Sequence, residues 1–478
     1  MRRWMLLAGA AAALAVSVTV LWPRAPEQAP ALEPERAALL REAGATIPRT
    51  PPSGKVHEVE LVAAPGTVQL LDGRPLDVWA YNGQVPGPTI RARAGDKLRV
   101  RLRNDLPQPT TIHWHGLRLP NGMDGVPGVT QPPIESGASF TYEFVLPDAG
   151  TFWFHPHVRG SEQVERGLHG VLIVEPRDDK PRERELVWLL DDWRLSEDGQ
   201  IDPEFVTRHD LAHDGRWGQI STVNGRTRPT VDVRAGEAVL LRLINAANGR
   251  IFAPDLSAFD ANVVAFDGVP TSRPLPATKL ELAPGNRADV LLRVPADANG
   301  TIDVIDRFTR RPFVLATLRV DGKVESVPLA TREFREVPAW TSASALEPDH
   351  VFELNAARGG RAGIEWQING KAMVHDDGHA GHDPPTKLQL GRPTKLRFVN
   401  ASARLHPMHL HGQFFKVIAR NGQPVDEGHW RDTVLLRGRD TVDVLVVPED
   451  EGTWALHCHI LEHHDSGMMT LLKIERAS

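Results

Sequence analysis

One passage recurs three times in this chain, and its period sets the size of the folding unit. In each copy an Asn-Gly pair is followed by a later glycine, and nine positions separate that glycine from a final asparagine. The copies begin at Asn82, Asn224 and Asn369, so successive starts lie 142 and 145 residues apart. This period is the length of a whole domain, whereas solenoid repeats are much shorter. The sequence therefore predicts a first, second and third domain of one type, with boundaries at residues 50–178, 183–325 and 345–478.

The repeated passage alternates as a β-strand does. Within 91–104, Leu98, Val100 and Leu102 fall on one face of an extended chain, and arginines fall on the other. The 40 glycines and 39 prolines favour turns over long helices. No helical pattern of comparable strength occurs in the body of the chain, and one short helix is expected at 33–42. These patterns predict an all-β protein.

Composition excludes several classes of protein. Hydrophobic residues make up 41% and charged residues 24% of the chain, which is typical of a soluble globular protein rather than a disordered one. The net charge of −6 provides no basic field for nucleic acid, so we expect no nucleic-acid partner. The single cysteine, Cys458, rules out an intramolecular disulfide.

The N-terminus has the pattern of a targeting segment. Arg2 and Arg3 precede an apolar run at 5–22, which predicts an export signal in residues 1–22. Because this run has 18 residues, an uncleaved membrane anchor is the alternative. Residues 23–49 are rich in Pro and Ala and predict a linker. In either case we expect the protein in the periplasm or otherwise outside the cytoplasm, with this segment as its only contact with a membrane.

Four clusters of histidines carry the functional signal. Each contains a His-X-His pair, and residues i and i+2 of a strand point to one face, so each pair presents two imidazoles side by side. Neutral imidazoles are common metal ligands, and four such pairs do not fit scattered structural histidines. The clusters are His113-Trp114-His115, His155-Pro156-His157, His406-Pro407-Met408-His409-Leu410-His411 and His457-Cys458-His459.

The repeats place these pairs at matching positions in two of the domains. Nine residues after the final asparagine of the repeat come His113 in the first domain and His409 in the third, but Pro254 in the second. The second His-X-His pair follows a Gly-Thr-aromatic tripeptide in the first and third domains. At the equivalent positions the second domain has Ile305 and Arg307. Eight imidazoles from two matching domains predict a metal cluster between those domains, with the second domain as a spacer.

The third domain carries a further candidate site. Strand alternation turns the Cys458 sulfur away from the face that its two histidine neighbours share. Its possible companions are His406, His463 and Met468, and two imidazoles, a thiolate and a weak thioether form a blue-copper site. Zinc is the competing metal, but structural zinc sites prefer several cysteines. An electron at this copper would need only the backbone beside Cys458 to reach the cluster.

These motifs resemble those of the multicopper oxidases, the family of the laccases and copper-efflux oxidases. The resemblance runs from about Tyr81 to Ile474, and it includes the run from Tyr81 to Thr89 and all the histidine motifs in the family's order. It implies three consecutive cupredoxin-like Greek-key domains, each a β-barrel or sandwich. It also implies four copper ions and the reduction of O2 to water with electrons from a small reducing substrate.

The resemblance also implies a ligand for each copper. Type 1 copper takes His406, Cys458 and His463, with Met468 as the axial ligand. Type 2 copper takes His113 and His409. The two type 3 ions take His115, His155 and His459, and His157, His411 and His457. Because no ligand of the family is missing, a degenerate scaffold that only binds or supports a partner is disfavoured.

Three residues are candidates for supplying the protons that O2 reduction consumes. Asp124 occupies the position of an acidic residue that the family places near the cluster, and the alternative is a turn residue before Gly125. Many bacterial relatives carry Glu directly after the second type 1 histidine, whereas this chain has His464. Our hypothesis is that His464 or Asp465 replaces that carboxylate, or that O2 reduction has a shifted pH optimum.

Two reducing substrates fit the sequence. A phenol is the leading interpretation, because an axial Met468 lowers the type 1 potential and favours easily oxidised substrates. Cu(I) is the alternative, as in a metal oxidase for copper tolerance. The third repeat has an insertion, 374–383, whose His375, His379 and His382 either capture copper or belong to a solvated loop. A monomer suffices to build the site, because one chain supplies all three domains.

Overall fold

The computed structural model describes residues 47–70, 73–177, 183–325, 340–360, 362–373 and 385–477. The expected export signal or anchor, the expected helix at 33–42, nearly all of the linker and the insertion at 374–383 lie outside the described residues. No helix of the described ranges is long and apolar enough to span a membrane.

Strands dominate the described chain, which confirms the all-β prediction. The strands of residues 56–175 are β1 (Val56–Leu70), β2 (Arg74–Tyr81), β3 (Ile90–Arg93), β4 (Lys97–Asn104), β5 (His113–His115), β6 (Ser139–Val145), β7 (Gly150–His155) and β8 (Gly170–Glu175). They form two sheets, with the orders β2-β1-β4-β6 and β3-β8-β7-β5. In β4 the leucines and valine are buried while arginines face outward, as the alternation predicts.

Residues 184–323 form a second pair of sheets. Their strands are β9 (Arg184–Trp193), β10 (Ile220–Val223), β11 (Thr230–Ala235), β12 (Ala238–Asn245), β13 (Pro254–Asp255), β14 (Asp260–Phe266), β15 (Val269–Pro276), β16 (Arg287–Arg293), β17 (Thr301–Asp306) and β18 (Phe313–Lys323). The sheet orders are β10-β9-β12-β16-β14-β15 and β11-β18-β17-β13.

Residues 350–475 form a third pair of sheets. Their strands are β19 (His350–Ala357), β20 (Glu365–Ile368), β21 (Thr386–Gln389), β22 (Thr394–Asn400), β23 (His406–Leu410), β24 (Phe415–Arg420), β25 (Gln423–Pro424), β26 (Thr433–Leu436), β27 (Thr441–Val446), β28 (Gly452–Cys458) and β29 (Met469–Glu475). The sheet orders are β20-β19-β22-β27-β24-β25 and β21-β29-β28-β23-β26.

Helices are few and short. The α-helices of the described chain are α1 (Gly160–Glu165), α2 (Arg208–Ala212) and α3 (Leu461–Asp465), and 3-10 turns lie at Asn121–Met123, Ala277–Lys279 and Trp340–Ala345. Each pair of sheets packs as one cupredoxin-like domain, so the three-domain β architecture is confirmed. The exact limits given above for each domain stay predictions.

The Asn-Gly pairs of the repeat make the same turn three times. Asn82, Asn224 and Asn369 have φ values of 54°, 52° and 54°, and each following glycine also has a positive φ. Two consecutive residues with positive φ form the tight turn that Asn-Gly favours. Each asparagine side chain also bonds the backbone of a neighbouring strand; in the first copy, Val62 N donates to Asn82 Oδ1 at 2.7 Å.

The final asparagine of the repeat shapes the loop that leads to the histidine motif. Asn104 is fully buried, and its Nδ2 donates to the carbonyls of Gln108 and Ile134 at 3.0 and 2.8 Å. The equivalent asparagine of the third copy, Asn400, binds two carbonyls in the same way. The repeat therefore marks a bend that recurs between β4 or β22 and the strand that carries the first histidine pair.

Candidate functional site

The antiparallel register puts the two histidine pairs of each domain side by side. In the first domain, β5 pairs with β7 so that His113 lies opposite His155. In the third domain, β23 pairs with β28 so that His409 lies opposite His457. The second histidine of each pair lies on the same strand or within two residues of its end, and its ring centroid is 4.9–6.5 Å from that of the first. Local strand geometry thus gathers four imidazoles in each domain.

The two groups of four imidazoles meet at the boundary between the first and third domains. The rings of His113 and His411 stack with their centroids 3.7 Å apart, and those of His115 and His409 stack at 3.8 Å. All eight side chains are buried. We call this set the imidazole cluster; its members are His113, His115, His155, His157, His409, His411, His457 and His459.

The ring nitrogens of the imidazole cluster fall into groups of ligand size. One nitrogen from each of His115, His155 and His459 lies within 4.8 Å of the other two, and His157, His411 and His457 form a second such group. The Nε2 atoms of His411 and His457 are 2.9 Å apart. Two imidazoles bound at a right angle to one metal ion, through bonds of about 2.0–2.1 Å, would have nitrogens roughly that far apart.

The Nε2 atoms of the remaining two members also face each other. His113 Nε2 and His409 Nε2 lie 3.5 Å apart, with one histidine contributed by each domain. The structure therefore brings together every cluster histidine that the sequence singled out, in the same groups that the resemblance implies.

The chemistry of these side chains fits a metal such as copper. Burial lowers the pKa of His155, His411 and His459 well below the usual value, so the imidazoles are neutral, which is the form that binds metals. Within the described residues, His115 Nδ1, His155 Nε2 and both ring nitrogens of His459 have no hydrogen-bond partner. An unpaired buried polar atom is costly, and a bound metal ion would remove that cost.

Asp124 orients two of the cluster imidazoles. Its side chain is buried, and Asp124 Oδ2 lies 2.9 Å from His411 Nδ1. The backbone oxygen of Asp124 accepts a hydrogen bond from His113 Nδ1 at 2.9 Å. Because these oxygens are acceptors, both Nδ1 atoms donate, which leaves each Nε2 as the nitrogen available to a metal. Asp124 is thus a turn residue whose carboxylate also contacts the cluster.

A second group lies entirely within the third domain. Cys458 Sγ is 3.6 Å from His406 Nδ1 and 3.8 Å from His463 Nδ1, and those two nitrogens are 3.3 Å apart. All three side chains are fully buried. Met468 is also buried; its backbone nitrogen donates to His463 and its carbonyl accepts from Cys458, each at 3.0 Å. Burial raises the pKa of the Cys458 thiol, so binding a metal there must release a proton.

The second domain covers this group. His463 Nε2 donates to the backbone oxygen of His213, just after α2, at 2.9 Å. The indole ring of Trp366 lies 4.3 Å from the His463 ring, and its Nε1 donates to Leu211 O at 3.1 Å. The His463 side chain consequently has 0% exposure. No face of this imidazole is open to solvent within the described chain.

His464 and Asp465 lie on α3 beside the imidazole cluster. The His464 ring is 4.8 Å from that of His157 and 4.7 Å from that of His457. His464 Nδ1 is 3.0 Å from Asp465 Oδ1, and Asp465 Oδ2 accepts hydrogen bonds from the backbone and hydroxyl of Ser161 on α1. An imidazole–carboxylate pair therefore lies at the position where the resemblance leads us to expect Glu.

Sequence reasoning missed two charged residues next to the cluster. Asp432, directly before β26, accepts from His409 Nδ1 through its backbone oxygen at 3.0 Å, and its Oδ1 is 3.3 Å from His115 Nε2. Arg287 of the second domain donates to both oxygens of Asp432, at 3.0 and 2.7 Å. Burial alone would raise the pKa of Asp432, but the Arg287 charge and the His409 imidazole hold it below the ordinary value.

The second domain is therefore more than a spacer, and that prediction is wrong in this respect. Arg287 is fully buried, and its Nε also donates to Thr151 O of the first domain at 3.2 Å. A Cβ added to Gly285 would lie only 2.9 Å from His115 and 3.0 Å from His459, so this backbone touches the cluster. The one signal of this contact in the sequence is the glycine directly after His115. In the structure Gly116 has a φ of +87°, and a Cβ there would lie 2.1 Å from Arg287 Nη2.

Comparison with known proteins identifies the family. Multicopper oxidase family models match residues 63–179, 184–306 and 347–478. The multicopper oxidase MmcO of Mycobacterium tuberculosis is 28% identical over 462 residues, covering 88% of each chain. A crystal structure of a multicopper oxidase from Pseudomonas thermotolerans is 35% identical, with a TM-score of 0.76 over 88% of this chain and 100% of that one.

A solved multicopper oxidase from Campylobacter jejuni, described as a metallo-oxidase, is 26% identical with a TM-score of 0.74; the match covers 89% of this chain and 93% of that one. Together with the family-model matches, these similarities extend over all three domains. The chain belongs to the multicopper oxidase family, and it is an oxidoreductase of the kind that uses O2.

Proposed function

We propose that this multicopper oxidase takes its electrons from cuprous ions and reduces O2 to water. The observation that supports this choice of reductant is the burial of His463, whose Nε2 hydrogen is already donated to His213 O. A phenol gives up a proton with its electron and is best oxidised in contact with an open ligand edge. Oxidation of Cu(I) releases no proton, so it needs no hydrogen bond to His463.

The proposal includes four copper ions. Type 1 copper would be held by His406, Cys458 and His463, with Met468 as axial ligand. Type 2 copper would be held by His113 and His409. The type 3 pair would be held by His115, His155 and His459, and by His157, His411 and His457. When bound, copper supplies a one-electron centre at Cys458 and the centre at which O2 is reduced.

The chain connects these two centres through its own backbone. The Cys458 side chain points to one face of β28, and the neighbouring His457 and His459 point to the other. The residue before Cys458, His457, thus belongs to one proposed type 3 group, and the residue after it, His459, belongs to the other. This adjacency supports electron transfer from the Cys458 site to the imidazole cluster.

Three residues are proposed to supply protons. Asp124 accepts from His411, and the pair His464–Asp465 lies against the rings of the cluster. A buried carboxylate in contact with a ligand imidazole is placed to hold a proton and pass it to reduced oxygen. We assign His464 and Asp465 together to the role that Glu has in many relatives.

The remaining parts of the proposal concern where and in what form the enzyme works. We propose a monomer outside the cytoplasm, with domains at 50–178, 183–325 and 345–478. The support is that one chain supplies every proposed ligand, and that the first 22 residues have the composition of an export signal.

The test is O2 uptake by the copper-loaded protein with Cu(I) or a methoxyphenol as the sole reductant. A higher kcat/KM for Cu(I) would support the proposal, whereas a clear preference for the phenol would favour the laccase-like interpretation that the sequence placed first. Because Cu(I) also reacts with O2 in solution, the control is Cys458→Ser, which removes the thiolate and should abolish enzymatic uptake with either reductant.

A further inference from the structure

We infer that His209 and His213, at α2 of the second domain, form the surface site at which a cuprous ion binds and gives up its electron. This inference rests on the proposed function and names the place where its substrate docks. The site lies outside the imidazole cluster and the Cys458 group, and the histidine motifs of the sequence analysis do not include it.

The two histidines have the spacing of a metal-binding pair. His209 lies on α2, and His213 is the residue directly after the helix, where the chain leaves the helical conformation and brings its side chain back against His209. Their rings stack with centroids 4.2 Å apart and an interplanar angle of 29°, and both residues are exposed, so the side chains are free to turn their ring nitrogens toward one ion. His213 Nδ1 donates to His209 O at 2.8 Å, so its Nε2 keeps the lone pair that binds a metal. Imidazole is a suitable ligand for copper.

The pair is connected directly to the buried type 1 ligand of the proposal. The carbonyl oxygen of His213 accepts the Nε2 hydrogen of His463 at 2.9 Å. One residue and one hydrogen bond therefore separate an ion on the His213 ring from the buried imidazole of His463. This contact gives an electron a short route through the cover that the second domain forms.

The surrounding contacts hold α2 in place although it has only five residues. Thr207 Oγ1 accepts from Asp210 N, and Asp210 Oδ2 accepts from Thr207 N, which forms a capping box. Arg194 donates to both Asp210 oxygens, at 2.6 and 3.0 Å. On the buried side, Trp366 donates to Leu211 O. A rigid support under an exposed pair of imidazoles is what a docking site for a small cation requires.

The reaction balances with reactants already named. Bound Cu(I) loses one electron and becomes Cu(II), which the site releases. The electron leaves through the His213 backbone and the hydrogen bond to His463. Four cuprous ions are oxidised for each O2, which is the family's electron acceptor and becomes two waters with protons taken from solvent.

The experiment compares the copper-loaded wild type with a His209→Ala/His213→Ala double variant, which keeps the backbone carbonyl at 213. Two quantities are measured: the ratio of kcat/KM for Cu(I) to that for a methoxyphenol, and the number of Cu(I) ions bound beyond the resident copper, by competition with a chromogenic Cu(I) chelator. We expect the ratio to fall at least tenfold and one bound Cu(I) to be lost. The matched control is His57→Ala, at a half-exposed histidine on β1.

The outcomes separate this inference from the proposed function. An unchanged ratio or an unchanged number of bound Cu(I) ions in the double variant would overturn the inference, while Cu(I) oxidation by the wild type would still support the proposed function. Absence of Cu(I) oxidation in the wild type would overturn the proposed function itself. Should the double variant lose its blue colour, the single variants His209→Gln and His213→Gln, measured by Cu(I) binding, decide the question.

Discussion

At the scale of single residues, several ligand imidazoles are oriented by the hydrogen bond that their other nitrogen makes. His411 gives its Nδ1 hydrogen to Asp124 and presents Nε2 to the cluster. His463 does the opposite: it gives its Nε2 hydrogen to His213 and presents Nδ1 to Cys458. The partner of the outer nitrogen therefore fixes which atom can bind a metal, and changing that partner should disturb the metal without removing a ligand.

Asp124→Asn tests this point. The substitution removes the negative charge that accepts from His411 Nδ1, so we expect the rate of O2 uptake to fall about 10–100-fold. The blue absorption of the Cys458 site should persist, because Asp124 does not contact that group. Asp260→Asn, at an exposed position, is the matched control and should behave as wild type. Equal rates for both variants would contradict a role for Asp124.

His429 gives a prediction for the pH dependence of stability. Burial, with a contribution from the Arg431 charge, lowers the pKa of His429 to about 3, whereas an unfolded histidine has a pKa of about 6.5. The unfolded state therefore binds more protons between these values, so this residue's contribution is complete above about pH 6.5 and is lost as the pH falls toward 3.

The measurement is urea unfolding of the metal-free protein at pH 7.5 and pH 5, for the wild type and His429→Asn. Between these pH values the wild type should lose about 2 kcal/mol more unfolding free energy than the variant, from 1.5 pH units below 6.5 at about 1.4 kcal/mol per unit. Asparagine keeps a donor for Glu427 O, which His429 Nδ1 now satisfies. If the wild type and the variant lost the same unfolding free energy between pH 7.5 and pH 5, His429 would not take up a proton on unfolding.

At the scale of elements, the strands and their pairs of histidines could be predicted because the signals are local. Alternation fixes which side chains of β4 are buried, and the His-X-His pair on β5 must point to one side. α2 was not foreseen, because five residues held by a capping box carry too little periodicity to recognise. Asp432 and Arg287 were missed because their contact joins residues 145 positions apart and leaves no local pattern.

The loop before β16 gives a prediction at this scale. Gly285 and Gly300 both have positive φ, so alanine at either position should cost about 1–2 kcal/mol of backbone strain. An added Cβ at Gly285 also meets His115 and His459, whereas nothing lies within 4 Å at Gly300. We therefore expect Gly285→Ala, but not Gly300→Ala, to lower the copper bound per chain in metal analysis. Equal copper content in the two variants would mean that the loop shifts to accept the Cβ at position 285 without moving the imidazoles.

At the scale of the whole molecule, one side chain joins the three domains next to the cluster. Arg287 extends from β16 of the second domain to Thr151 O of the first and to both carboxylate oxygens of Asp432 in the third. Asp267 of the second domain also accepts from the backbone nitrogens of Asp432 and Thr433, at 3.2 and 3.3 Å. Assembly of the imidazole cluster and packing of the domains therefore depend on the same buried ion pair.

Removing one partner of this pair should cost more than removing both. Arg287→Met leaves the Asp432 carboxylate buried without its main counter-charge, so we expect a loss of about 3–5 kcal/mol in unfolding free energy. Arg287→Met/Asp432→Asn removes that unpaired charge and should recover part of the loss. The exposed pair Arg319–Asp232 provides the control, and Arg319→Met should leave stability unchanged.

The spectrum of type 2 copper separates a role at the cluster from a role in packing alone. Asp432 binds the outer nitrogen of His409 through its backbone, so a shift of this residue should change the type 2 electron paramagnetic resonance signal in Arg287→Met. The blue absorption at Cys458 should stay as in the wild type, because Arg287 makes no contact with that group within the described chain. Lower stability with an unaltered type 2 signal would restrict Arg287 to holding the domains together.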